Sequence, residues 1–257
     1  IDLEYCRTHG IHVENAAGCN AGGVMQYVFS ALYGVGARKG IKLEDCTFGI
    51  IGVGHVGSKV EAMARYLGFN VLLCDPPRAA VEGPDKFCSL EYLLENSDII
   101  TMHVPLDETT RGMADATFFA LMKPGAIFIN AARGEVIDEQ ALIAAAPKLG
   151  AVVIDTWCNE PDINEELLDI ADIATPHIAG YSLLGKQNAT TMAVQAVARF
   201  FGIPELYDFK PQDADSSHEP VLLDLKGKNH GEIAAVFQYN YPIFTDDFRL
   251  RMEPHKF

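Results

Sequence analysis

Two hydrophobic rhythms alternate along this chain. Predominantly apolar runs at residues 47–51, 71–74, 99–102, 126–129, 151–154 and 173–174 read as strands buried on both faces, which parallel sheets require. Between them, residues 58–67, 90–95, 114–121 and 139–145 carry apolar side chains at helical spacing. Strand and helix in turn predict an α/β fold with a doubly wound parallel sheet, whose ligands sit at the carboxyl ends of the strands.

The flanks are less regular. Residues 1–13 read as a helix tail followed by a short strand. Asn20 is placed to cap a helix built on Val24, Tyr27, Val28, Ala31 and Leu32, with Gly22 and Gly23 weakening its start and Gly34 and Gly36 its end. Residues 183–200 suggest a long helix through Leu184, Gln187, Thr191, Val194 and Ala198, stopped by Gly202 and Pro204. A Pro- and Asp-containing connection at 210–215, an apolar stretch at 221–223 and a helix over 232–239 complete the pattern. The expected division is a fragment of a substrate domain at 1–19, a dinucleotide domain at 20–182, a helix returning to the substrate domain at 183–204, and a small α+β dimerisation module, incomplete, at 205–257.

The first run opens directly into Gly52-Val53-Gly54-His55-Val56-Gly57, which is the strand–turn–helix context of a dinucleotide fingerprint. Gly52 allows the tight turn, Gly54 the approach of a pyrophosphate and Gly57 close helix–strand packing, while the amides near His55 and Val56 face the phosphates. The second run ends in Asp75, 18 positions after Gly57, near the spacing of the acid that binds the adenosine ribose. Asp75 favours NAD over NADP. Arg78, three residues on, is the one feature that suits a 2′-phosphate.

Composition narrows the setting. The 257 residues, 49% hydrophobic and 21% charged, suffice for a large core and more than one domain. Twenty basic against 35 acidic residues leave a net charge of −15, which disfavours nucleic acid and anionic membranes as partners. No apolar run is long enough to span a bilayer. Cys6, Cys19, Cys46, Cys74, Cys88 and Cys158 show neither paired nor metal-ligand spacing, so a reducing cytoplasm is expected and no metal is implied.

Arg133, Glu160 and His177 each follow the end of an apolar run. Singly, each has an ordinary explanation: a surface ion pair, a charge before Pro161, a loop histidine after Pro176. On consecutive strand ends downstream of a dinucleotide turn, they form the set that oxidation of a 2-hydroxy acid needs. Asn130-Ala131-Ala132-Arg133-Gly134, Asp155-Thr156-Trp157-Cys158-Asn159-Glu160-Pro161 and Pro176-His177-Ile178-Ala179-Gly180 resemble the NAD-dependent D-isomer-specific 2-hydroxyacid dehydrogenases, over about residues 1–200. Within that family, residues 18–21, 74–78 and 177–186 are similar to the branch that oxidises a phosphorylated four-carbon sugar acid in vitamin B6 synthesis.

The resemblance implies a Rossmann-type NAD domain, a small phosphorylated hydroxy-acid substrate and a homodimer. It implies that Arg133 clamps the substrate carboxylate, that His177 exchanges the hydroxyl proton, and that Glu160 fixes the imidazole tautomer. Further cofactor contacts would come from His55, Val56, Val104, Ala131, Ala132, Arg133, Asp155 and Gly180. Tyr181 would contact substrate or be a hydrogen-bonded core tyrosine. His103, also at a strand end, reads as a satisfied structural histidine. For the substrate phosphate the candidates are Lys186, nearest in sequence, and the remoter Arg249 and Arg251, each otherwise a solvated surface charge. Two alternatives stay open: a dehydrogenase of 3-phosphoglycerate or another D-2-hydroxy acid, and a non-catalytic NAD-sensing scaffold.

Overall fold

A computed structural model describes residues 1–211 and 223–256. Its elements are α1 (Leu3–Thr8), α2 (Ala21–Lys39), β1 (Thr47–Ile51), α3 (His55–Tyr66), β2 (Asn70–Cys74), α4 (Pro76–Glu82), α5 (Leu90–Asn96), β3 (Ile99–Met102) and α6 (Ala116–Leu121). They continue with β4 (Ile127–Asn130), α7 (Glu139–Ala145), β5 (Ala151–Ile154), α8 (Glu165–Ile170), β6 (Ile173–Ala174), α9 (Leu183–Phe201), α10 (His230–Asn240) and α11 (Phe244–Met252). The six strands form one parallel sheet in the order β2-β1-β3-β4-β5-β6. The order reverses between β1 and β3, and the ligand crevice of such a sheet lies above that point.

Alternation along the strands builds two cores. Phe48, Ile50, Ile99, Ile127, Ile129 and Val153 pack towards α2 and α3, whereas Ile51, Ile100, Phe128, Val152 and Ile154 pack on the opposite face. The helices α4 to α8 are short, and each begins on a side chain that accepts a first-turn amide: Asp75, Ser89, Asp115, Asp138 and Asn164. Such caps offset the poor intrinsic stability of one or two helical turns.

Three expectations need correction. Residues 11–13 form no strand: Ile11 N closes on Cys6 O at 2.9 Å, and residues 12 and 13 pair with neither edge of the sheet. Gly34 and Gly36 do not end α2, which continues to Lys39; Phe244 and Gln238 pack against Gly34 and Leu43 against Gly36, so burial overrides propensity. Asn20 occupies the position before α2 but makes no side-chain cap. The long helix expected over 183–200 is α9, which starts on a Ser182 cap and ends at Gly202 with φ 67°. Leu183, Leu184, Val197, Phe200 and Phe201 lie exposed along it. The helix expected over 232–239 is α10. The apolar stretch at 221–223 lies outside the described residues except for exposed Leu223. No helix among the described residues is long and apolar enough to cross a membrane.

The last two helices close on the sheet. Phe237 of α10 stacks on Phe29 and Tyr33 of α2, with centroids 5.8 and 5.5 Å apart. From α11, buried Asp247 Oδ1 accepts the Ala174 amide of edge strand β6 at 2.7 Å and Arg251 Nε at 3.0 Å. Arg251 also donates to the carbonyls of Leu168 and Ala171, both at 2.7 Å. The edge donor is thus satisfied internally. Asp247→Ala should leave it orphaned and destabilise the protein by about 1–3 kcal/mol; a chemical-denaturation midpoint equal to wild type would contradict this.

Candidate active site

The glycine turn is held at both ends. Gly52, at φ 84°, donates its amide to Cys74 O at 2.9 Å, and a Cβ there would lie 2.8 Å from His103 O. A Cβ on Gly57 would overlap the Gly52 carbonyl oxygen, so only glycine lets α3 start this close to β1. Gly54 precedes α3 and supplies no side-chain cap, which leaves the first-turn amides of His55 and Val56 available to an anion.

Asp75 spans the turn and the next helix. Its Oδ2 accepts Val53 N at 2.7 Å and its Oδ1 caps α4 through Arg78 N at 2.9 Å. A carboxylate has about four acceptor sites, so capacity remains for ribose hydroxyls. Arg78 is differently committed: Nε and Nη2 fork onto Glu82 at 2.6 and 2.8 Å, and Nη1 donates to Val53 O at 2.6 Å. Glu82, itself held below the usual carboxylate range by that fork, neutralises the one cation suited to a 2′-phosphate. The turn, the open helix start and Asp75 fit NAD.

Across the switch point, the ends of β4, β5 and β6 bring the other residues together. His177 Nδ1 lies 2.8 Å from Glu160 Oε2, and Glu160 Oε1 accepts Trp157 N at 2.8 Å. Trp157 is itself anchored by its indole N–H, which donates to Thr175 O at 2.9 Å. Asp155 is buried, and the loss of water raises its pKa although neighbouring donors oppose the shift. Arg133 is exposed, with Nη1 on Ala132 O at 2.6 Å. Asn130 sets its loop, accepting Ala132 N at 3.1 Å and donating to Arg133 O at 3.0 Å.

Gly134 joins the two loops: a Cβ there would overlap the Trp157 carbonyl group. The Arg133 loop can therefore lie directly against the segment that carries Glu160. Neither this contact nor the part of Asn130 was inferred from the sequence, although a polar residue closing an apolar run and a glycine straight after an arginine were visible there.

The start of α3 and the loops after β3 to β6 share a cleft of about 920 Å³, whose lining does not include Gly52, Gly54, Gly57 or Asp75. His55, Val56, Val104, Ala131, Ala132 and Arg133 line it, as do Asp155, His177, Gly180 and Tyr181; Glu160 stands behind His177. Gly18 and Asn20 also line it and were missed as site residues. A Cβ on Gly18 would lie 2.7 Å from the His55 ring, and one on Gly180 would overlap the Asn20 amide, so both are places of close approach. The Asn20 side chain serves the cleft wall rather than the helix start. Gly23 has a related reason, with Ser182 Oγ and Ala179 O only 3.2 and 3.3 Å from where its Cβ would be.

The remaining candidates separate by their partners. Burial pushes the His103 imidazole down to about 3, and its Nε2 lies 3.1 Å from Thr101 Oγ1. Tyr181 is exposed, with Lys186 Nζ 3.8 Å above its ring. Arg249 is an exposed partner of Asp246 at 3.4 Å. Arg251 is no solvated surface charge, because its Nε, Nη1 and Nη2 each donate to Asp247 or a backbone carbonyl.

Residues 30–179 match the family model described as the NAD-binding domain of D-isomer-specific 2-hydroxyacid dehydrogenases. The chain belongs to this family. An erythronate-4-phosphate dehydrogenase of Bacteroides fragilis is 48% identical over 219 residues, covering 83% of this chain and 63% of the relative. That of Bacteroides thetaiotaomicron is 43% identical over 263 residues, covering 100% of this chain and 73% of the relative. The chain thus spans 63% of the length of the first of these relatives and 73% of the second. Among solved structures, D-lactate dehydrogenase of Aquifex aeolicus, complexed with NAD and lactic acid, superposes with a TM-score of 0.61 at 28% identity, covering 80% of this chain and 74% of that one. As a member of this dehydrogenase family the chain takes NAD as cofactor, in agreement with the commitment of Arg78 to Glu82.

Two measurements test how the cleft is held together. Gly134→Ala should push the Arg133 and Trp157 loops apart, costing about 1–3 kcal/mol. Trp157 is the chain's only tryptophan, so its emission reports the change; an unaltered spectrum and midpoint would contradict the close approach. His103 offers a pH test. The unfolded ring takes up a proton near its ordinary 6.5 and the folded ring only near 3, so the unfolded state binds more protons in between. Stability should fall as pH drops through that range, by at most about 1.4 kcal/mol per pH unit, and His103→Gln should flatten the fall. Parallel pH–stability curves for the two proteins would contradict it.

Proposed function

We propose that the protein oxidises 4-phospho-D-erythronate to (R)-3-hydroxy-2-oxo-4-phosphooxybutanoate with NAD, as a step of vitamin B6 synthesis. The observation that carries this reading is the His177–Glu160 pair, 2.8 Å apart, in the cleft that also holds Arg133. The substrate is taken from the relatives named erythronate-4-phosphate dehydrogenase.

In this reading each residue acts through a group the geometry leaves available. With Nδ1–H donated to Glu160, the His177 ring keeps Nε2 as an acceptor for the C2 hydroxyl proton. Glu160 then stabilises the imidazolium and, anchored by the Trp157 amide, holds the ring in that orientation. Arg133 has N–H donors beyond the one on Ala132 O, and its planar fork suits a carboxylate beside the C2 oxygen. Bound NAD supplies the acceptor for the C2 hydride. Gly52, Gly54 and Gly57, with the amides of His55 and Val56, hold its pyrophosphate, and Asp75 holds its adenosine ribose. Val104, Ala131, Ala132, Asp155 and Gly180 line the remainder of its path, Tyr181 meets the substrate, and Lys186 meets the phosphate.

The proposal extends to the setting: a cytoplasmic homodimer, with residues 20–182 as the NAD domain, residues 1–19 and 183–204 belonging with the substrate domain, and residues 205–257 in the dimerisation module.

The test is NADH formation with 4-phospho-D-erythronate beside 3-phospho-D-glycerate, with a keto acid added to reoxidise trapped cofactor. Preference for the erythronate is expected, and His177→Ala should lower kcat by about 10²–10⁴-fold while NAD binding persists. Preference for phosphoglycerate would keep the mechanism and change the substrate. Inactivity towards both would overturn the proposal, as would full turnover by His177→Ala.

A further inference from the structure

His177 is held in an uncommon conformation. Its φ is 50°, in the left-handed region that a non-glycine residue occupies only when its surroundings impose it. The surroundings here are one carboxylate: Asp155 Oδ1 accepts Ile178 N at 2.9 Å, and Asp155 Oδ2 accepts Ala179 N at 2.9 Å. The two amides just after His177 are therefore fixed by a side chain from a different strand. The Asp155 carbonyl oxygen accepts the His177 amide at 2.7 Å and completes the grip.

The carboxylate has a third donor. Thr175 Oγ1 lies 2.6 Å from Asp155 Oδ1, and Tyr27 OH lies 2.6 Å from the same Thr175 oxygen. The direction of both bonds is set by proton counting. An ionised carboxylate only accepts, so the single hydroxyl proton of Thr175 goes to Asp155; only lone pairs then remain on Thr175 Oγ1, and Tyr27 must donate. Tyr27 is buried on α2, and burial followed by the nearby Asp155 charge raises its pKa well above the ordinary value, so the phenol keeps its proton. The chain Tyr27 to Thr175 to Asp155 is fully satisfied and ends on the loop that bears the reactive imidazole.

We propose that Tyr27 and Thr175 are positioning residues, which orient the Asp155 carboxylate and through it hold His177 in its left-handed, cleft-facing conformation. This rests on the reading of His177 as the acid–base group. A buried tyrosine that merely satisfied its hydroxyl could meet any carbonyl; this one meets the hydroxyl that faces the loop's anchor. Thr175 also has its backbone in the same assembly, since its carbonyl receives the Trp157 indole behind Glu160.

Thr175→Val removes the hydroxyl with little change of shape, Thr175→Ser restores it, and Tyr27→Phe removes only the outer donor. Amide hydrogen exchange at Ile178 and Ala179 is compared with exchange in β1 and β3, and kcat is measured per folded molecule. Thr175→Val should quicken exchange at the two loop amides by about tenfold, the equivalent of one hydrogen bond, without quickening the strands. It should lower kcat by about tenfold or more, as expected of a misplaced acid–base group. Thr175→Ser should recover both. Tyr27→Phe should show the same pattern more weakly, and should add nothing in the Thr175→Val background.

Wild-type loop exchange and kcat in Thr175→Val would overturn the proposal, as would equal losses in Thr175→Ser and Thr175→Val, or equal quickening of the strands. If Thr175→Val does not fold, Tyr27→Phe decides by the same readouts. Hydrogen exchange does not need turnover: a wild-type protein that oxidises neither acid would sink the functional reading, while the exchange result would still decide whether Tyr27 and Thr175 hold the loop.

Discussion

A carboxylate taken out of water must find donors for both oxygens, and Asp155 finds them in the segment after β6. Its partners are the amides of Ile178 and Ala179 and the hydroxyl of Thr175. The last turns of β5 and β6 are consequently one assembly, and His177 has its place because Asp155 needs neighbours. The pair with Glu160 depends on the same assembly from the other side: Thr175 O receives the indole of Trp157, and Trp157 N donates to Glu160. Imidazole and carboxylate are both supported from behind, the first by Asp155, which also lines the cleft, and the second by Trp157, which does not.

Close approaches at glycine carry the rest of the geometry. Gly57 lets α3 start against the Gly52 carbonyl, Gly134 lets the Arg133 loop lie on Trp157, and Gly180 admits the Asn20 side chain. These three contacts join, in turn, the glycine turn to its strand, β4 to β5, and the His177 loop to α2. A sheet by itself fixes only where strands end. The overlap-limited contacts between the loops decide which side chains share the space above it.

Much of this was legible in the residues. The sheet was, because six buried runs separated by helical spacing allow few other arrangements. The placement of the glycine turn, Asp75, Arg133, Glu160 and His177 just beyond the strand ends was, because strand ends in such a sheet lie on one side. Apart from Asn130 and Gly134, what escaped had no local signal. Gly34 and Gly36 look like helix breakers until Phe244, more than 200 positions later, is seen against one of them. Asn20 looks like a cap until Gly180 is placed beside it. Arg251 looks like a surface charge until Asp247 and two carbonyls enclose it. The fork between Arg78 and Glu82, by contrast, is an i,i+4 pair that is expected from Asp75-Pro76-Pro77 once these are read as a helix start.

The position of the C-terminal helices adds a physical consequence. β6 has two residues and one neighbouring strand, so its own ladder holds it weakly, yet it delivers both Thr175 and His177. On its open side, Asp247 from α11 takes the Ala174 amide, and Arg251 binds Asp247 and the end of α8. Tyr241, just after α10, lies 6.2 Å from the Tyr27 ring, centroid to centroid. The helices at the far end of the chain thus brace the edge strand three residues before His177, where the cleft begins. A polar pair spent on a sheet edge would otherwise contribute only local stability. Here it lies in direct covalent continuity with the loop that carries His177, so the C-terminal segment and the cleft form one structural unit.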